Sequence, residues 1–290
     1  MPPVAVPFVV LVRRVIVLCA AVSTVGASEV GAQQRDTITI EQRVLVTGDL
    51  TPTDARRRAI EEGLAEAVRR LAGVRVQSNA LSVLDERGSA IRGGWSSVVQ
   101  LDASARAVDY RVVEDEWVPV RHPELGTQLY YRAKLLVSVE HETGAPDPSF
   151  TAEASVDAAR YTARSADPAS NDEIRGTVRV SQSAFLTVFV VTDDSAERVI
   201  PNEYVRELRG AASVGVEIPP PDWRARGVRL RASLAPGRAH SRSLLMVVAT
   251  LESVPPPVAF TLSVLDVQRW LVRIPASRRA LAFAPFETVR

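Results

Sequence analysis

Residues 181–204 read SQSAFLTVFVVTDDSAERVIPNEY. Within them, 184–191 is apolar at every position but Thr187, and polar clusters bound it on both sides, Ser181-Gln182-Ser183 before and Asp193-Asp194-Ser195 after. An apolar run of this length between turn signals predicts a buried strand. The acidic turn leads into a second strand, 198–200, which ends at Pro201-Asn202. Working outward, short runs of the same kind recur at 177–181, 213–218, 228–234 and 244–250. Pro219-Pro220-Pro221, Pro236-Gly237 and Pro255-Pro256-Pro257 separate them. Short strands spaced by such turn chemistry predict a β-sandwich over 150–260, with 157–173 as a surface connection. Beyond it, Leu262, Leu265, Val267, Trp270 and Leu271 fall at helical spacing, Pro275 stops that helix, and 280–289 reads as a closing strand. The tail 261–290 is expected to dock on the sandwich.

Upstream the pattern changes. Alternation over 38–46 places Ile38, Ile40, Val44 and Val46 on one face of a strand and Thr39, Glu41, Arg43 and Leu45 on the other. Thr51-Pro52-Thr53-Asp54 then opens a helix, with Thr51 as cap, Pro52 at the first helical position and Asp54 as the capping-box acid. The helix is expected to run to about Leu71, closed by Gly73. Along it Ala55, Ala59, Gly63 and Ala67 recur every four residues beside Ile60, Leu64, Val68 and Leu71. That face packs closely on a sheet and offers no polar group for catalysis. After a polar stretch, 77–104, two long strands at 105–118 and 128–140 predict a hairpin with the loop 119–127 between them. The linker 142–149 carries Gly144, Pro146 and Pro148. The predicted class is α+β: a small α/β domain at 33–141, with one long helix on a mostly antiparallel sheet, followed by the all-β sandwich with its C-terminal helix and strand.

Two resemblances add to this reading. Phe185, Leu186, Val188 and Phe189 in the buried strand, Pro201-Asn202 after the next, Ile218-Pro219 and the closing Ala249-Thr250 resemble, in order, the signature of an uncharacterised domain of bacterial envelope proteins. The likeness spans about 150–251 and implies a fold and a compartment, not a reaction. The chain departs from it at 193–196, where a turn glycine is expected, and at 241–243, where a glutamate is expected. The stretch VTGDLTPTDARRRAIEEGLAEAVRRLAGVRV, residues 46–76, is similar to the amino-terminal domain of flagellar assembly protein T and related outer-membrane lipoproteins. It implies an α/β unit used in envelope assembly.

The first 32 residues read as a secretory signal peptide: Arg13-Arg14, an apolar run over 15–25, and small-residue cleavage patterns ending at Ala27 and Ala32. The run is about half the ~20 residues a membrane span needs. Cys19, the chain's single cysteine, lies inside it behind Leu18, where lipoprotein processing wants a small residue. Cleavage after Ala32 would therefore leave no thiol for disulfides, metal sites or nucleophilic catalysis. It would also remove two of the 35 cationic and one of the 34 anionic residues, leaving a formally neutral chain. Lys134 is the sole lysine, and the densest basic run, Arg56-Arg57-Arg58, sits on the helix as a solvated face. Neither indicates a nucleic-acid partner.

Candidate chemistry is sparse. His122, His141 and His240 lack partners at metal-ligand spacing. Asp193, Asp194 and Asn202 form a polar cluster that would suit calcium in an exported protein, and a hairpin turn accounts for the same residues. Glu61-Glu62 and Asp115-Glu116 are neighbours in sequence, so their side chains diverge and cannot share a proton. No catalytic, cofactor or metal residues are assigned. The expected function is a non-enzymatic exported envelope protein, periplasmic or secreted, that assembles with other envelope proteins. The alternative is a periplasmic binding module for a glycan or peptide in a groove between the two domains, with Trp117, Tyr130, Tyr131 or Trp223 as stacking surfaces.

Overall fold

The computed structural model describes residues 35–47, 50–72, 104–124, 126–165, 167–192, 195–227, 229–235 and 237–290. The expected signal peptide, the end of the first helix at Gly73 and the polar stretch 77–103 lie outside them. Gln33–Arg290 forms one compact unit that is rich in strand and poor in helix.

Its amino-terminal sheet has the order β1-β3-β2, all antiparallel: β1 (Arg35–Leu45), β2 (Ala105–His122) and β3 (Gly126–His141). Helix α1 (Pro52–Ala72) lies on one face. Its start follows from its cap: Thr51 Oγ1 accepts the Asp54 amide at 3.2 Å and donates to Asp54 Oδ2 at 2.5 Å. The small-residue stripe does what its spacing predicts. Ala55, Ala59 and Ala67 are wholly buried against Ile40, Val44 and the odd-numbered residues of β3. A β-carbon on Gly63 would come within 2.4 Å of Leu135 Cδ1, so any side chain there would have to push Leu135 aside for the helix to keep this approach to β3. The hairpin is longer than expected. Pairing continues through His122↔Gly126, which replaces the loop 119–127 by a tight turn whose left-handed Gly126 has φ 73°.

The remaining strands form two sheets. One has the order β10-β6-β4, from β4 (Ala152–Val156), β6 (Gly176–Val180) and β10 (Val216–Ile218). The larger runs β12-β8-β7-β11-β13-β5, from β5 (Arg160–Thr162), β7 (Ala184–Thr192), β8 (Ala196–Ile200), β11 (His240–Thr250), β12 (Thr261–Leu262) and β13 (Arg279–Val289). The short β9 (Arg209–Gly210) pairs with the start of β7. Two different layers cover the large sheet. Leu186, Val188, Leu245, Val247, Ala282 and Phe286 face Val178, Val180 and Ile218 of the smaller sheet, a β-sandwich interior. Phe189, Val191, Leu244, Met246 and Val248 point the other way, onto helix α3 (Val264–Leu271) through Val267, Trp270 and Leu271. Covered on both faces, β7 and β11 need apolar residues at odd and even positions alike, which accounts for the unbroken run that begins at Ala184.

Several expectations are corrected. Residues 157–173 are more than a surface connection. Their β5 pairs in parallel with the end of β13, Tyr161 is buried with its ring edge-on to Phe286 at 5.5 Å, and buried Asn171 donates to the carbonyls of Ser165 and Ala232. One aromatic and one amide carry that packing, so no hydrophobic period announced it. The strand expected at 228–234 is a single bridge, Glu173↔Arg231. The strand expected from Ser213 begins at Val216, because Ser213 sits in the left-handed region at φ 61°. A short helix, α2 (Pro221–Ala225), follows the proline triplet and buries Trp223. The C-terminal helix is shorter than 262–274, because Leu262 pairs in β12 and Ser263 caps α3 through a capping box with Asp266. The linker 142–149 is not solvated at its start, where Glu142 is buried between two arginines.

Candidate functional site

Asp193 and Asp194 of the candidate polar cluster lie outside the described residues. Asn202 is fully used by its own turn: Nδ2 donates to Val199 O at 2.8 Å, and Oδ1 accepts the amides of Tyr204 and Val205 at 2.8 and 2.9 Å. An amide oxygen with both acceptor directions taken is a poor ligand for a hard cation. Among the described residues no group of three or more His, Cys, Asp or Glu side chains is placed to hold a metal. The histidines are dispersed: His141 Nε2 lies 3.0 Å from Asp36 Oδ2, His122 Nδ1 accepts the Glu124 amide, and His240 opens β11 at the surface.

The four aromatic residues proposed for stacking do not converge on one groove. Trp223 is buried in the sandwich, with Tyr204 edge-on at 6.4 Å. Tyr131 is buried beneath α1, and its hydroxyl donates to Asp115 Oδ2 at 2.5 Å. Burial first, and the neighbouring Asp115 carboxylate second, push the Tyr131 phenol up to about 12. Trp117 packs its ring 4.8 Å from that of Tyr131 yet stays 41% exposed, and Tyr130 is half-buried on the opposite face of β3.

Trp117 marks where the hairpin outgrows its cover. Odd residues of β3 from Tyr131 to Val139 are buried under α1, whereas Leu129, the next on the same face, is 40% exposed. Pro119 pairs with Leu129, and Val120 and Leu45 are exposed on the opposite face. The projecting end of the hairpin thus carries large apolar side chains on both faces. Its outer edge is blunted. Leu129 O accepts the amide of Val46, the residue after β1, so by antiparallel alternation the backbone of Pro119 faces away from β3, and a residue with no N–H occupies the outer edge. Several charges of β2 are paired: Glu114 with Lys134 at 3.2 Å, Glu116 with Arg132, and Asp115 with Arg56 of α1 at 3.5 Å. The end of the hairpin beyond them exposes apolar side-chain area at Trp117, Val120 and Leu129.

The sequence reading missed the most deeply buried charges, Arg106, Glu142 and Arg279, which meet where β2, the end of β3 and the start of β13 come together. Each sits beside alanines or in a polar stretch, and nothing in its local pattern signals burial. The described residues also include an open pocket of about 400 Å³ lined by Thr250, Glu252, Val254, Arg273 and Arg278, where Arg278 pairs with Glu252. In it the Thr250 hydroxyl donates to the Glu252 carbonyl at 2.7 Å. No family model matches the chain, and no curated protein matches it either. No helix among the described residues is long and apolar enough to cross a membrane.

Proposed function

We propose that the protein is a non-enzymatic, exported interaction module of the bacterial envelope, and that the projecting end of the β2–β3 hairpin is its contact surface. One observation carries the proposal: Trp117, Val120 and Leu129 are each about two-fifths exposed on the regularly paired end of the hairpin. Exposed aromatic and aliphatic side chains on a preorganised element bind a partner at low entropic cost. Export and an envelope location rest on the signal-like first 32 residues and on the two resemblances. In this reading 33–141 serves as the contact domain and 150–290 as the body that carries it. The alternative glycan or peptide groove keeps Trp117 and Tyr130 as accessible surfaces and loses the buried Tyr131 and Trp223.

Photocrosslinking in intact cells tests the reading. A benzophenone side chain placed at position 120 or 129 should crosslink to a discrete envelope protein, and one at the exposed Glu153 of β4 should not. Equal crosslinking from all three positions, or none from the hairpin, would overturn it.

A further inference from the structure

We propose that Glu142 is an orientation latch: one buried carboxylate, shared by Arg106 of β2 and Arg279 of β13, sets how the β1-β3-β2 sheet is held against α3 and the large sheet. The inference is independent of what the hairpin binds. Arg106, Glu142 and Arg279 have side chains only 1%, 8% and 3% exposed. Arg106 Nη2 stands 2.5 Å from Glu142 Oε1, and Arg279 Nη2 meets the same oxygen. Two guanidiniums thus share one carboxylate. The end of α3 adds acceptors to the cluster: Arg279 Nη1 donates to Leu271 O at 2.7 Å and to Ile274 O, carbonyls at and just past the negative end of the helix dipole. Burial and the nearby Arg106 lower Arg279 to about 10, which still leaves it charged at neutral pH.

The cluster spans three separate parts of the chain. The apolar core under α1 and the two cores of the large sheet are distinct groups of residues, and Leu265 of α3 is the residue of that helix that packs on the α1 core. Among the described residues polar ties also cross the junction: Arg269 Nε donates to Val108 O at 2.5 Å, Arg269 Nη2 lies 3.5 Å from Asp109 Oδ1, and the Ala276 amide donates to Thr143 O at 2.9 Å. Apolar burial is non-directional, so it selects only weakly among near alternative orientations. Charged groups buried together do select, since any other arrangement leaves a desolvated charge unpaired. The pairing explains why Glu142 stands at the first residue after β3, where a solvated linker was expected.

The test uses the full-length chain with Cys19→Ser and spin labels on Thr127→Cys, at the end of the hairpin, and Ser183→Cys, between β6 and β7. Double electron–electron resonance should give one narrow distance distribution. Glu142→Gln should widen it at least about twofold, because the sheet then samples several orientations. As Glu142→Gln strands two buried arginines and can unfold the chain, the decisive variant is Arg106→Met/Glu142→Met/Arg279→Met, which removes all three charges and refills their volume. It should unfold cooperatively, as the parent does, and still give the broad distribution. A narrow distribution in that variant would overturn the proposal, because packing would then suffice to orient the sheet. So would a folded Glu142→Gln protein with an unchanged distribution.

Discussion

Strand β11 and the outer half of the β2–β3 hairpin are built from similar strand-forming residues and use them in opposite ways. From Ser243 to Thr250 every residue of β11 is buried, flanked by β7 and β13 and covered by the small sheet on one face and α3 on the other. Beyond Trp117 the hairpin is paired just as regularly, yet among the described residues no second layer covers it, and Trp117, Val120 and Leu129 stay about two-fifths exposed. Backbone pairing is thus satisfied in both places, and what separates them is the second layer. Where the layer exists, apolar side chains hold the fold together. Where it is missing, the same residue types remain available to another molecule.

The largest expected effect lies on the covered side. Leu245→Ala, which empties volume between the two sheets, should cost about 2–5 kcal/mol in urea denaturation, while Val120→Ala at the hairpin should stay within about 0.5 kcal/mol. Similar losses at both positions would erase the distinction. Next is Gly63→Val in α1. Its side chain must displace Leu135 from the core, and thermal melts should show a loss of about 1–3 kcal/mol.

This contrast marks what was legible in the sequence. The run at 184–191 was legible as a buried strand, because a strand with almost no polar position has no face to show to water; that a helix as well as a second sheet covers it came from the structure. The alanine and glycine stripe of α1 likewise announced a close helix–sheet contact. The extent of the hairpin was not legible: Pro119 and the charged residues around it read as loop, yet on an exposed edge strand those same residues are tolerated and blunt the edge. The buried junction was hidden for a related reason, since Arg106, Glu142 and Arg279 gain their meaning from one another across some 170 residues of chain. Of the candidate polar cluster, Asn202 proved to be a turn residue occupied by its own backbone.

Two smaller effects sharpen the comparison at the edges of the cores. Ser263→Ala removes the cap of α3 and should cost about 0.5–2 kcal/mol. Part of that cost is pH-dependent. The Ser263 hydroxyl holds the Asp266 carboxyl below its ordinary 3.8, so its share is present above pH 3.8 and fades as pH falls through the lowered native value. Acid titrations of the two proteins should converge over that range, and parallel curves would deny the coupling. The smallest effect belongs to Tyr131 beneath Trp117. Its phenol, raised to about 12, gives stability that is complete below pH 10 and is lost as pH rises from 10 through 12. Ultraviolet difference titration should find one tyrosine ionising near pH 12, absent in Tyr131→Phe.

The claim that the uncovered hairpin end is a contact surface is tested most directly by co-sedimentation of the purified protein with isolated cell envelopes. The parent chain should be compared with Val120→Asp/Leu129→Asp. The account predicts that the double variant keeps the parent's melting temperature and loses envelope association. Retained association with an unchanged melting temperature would contradict it.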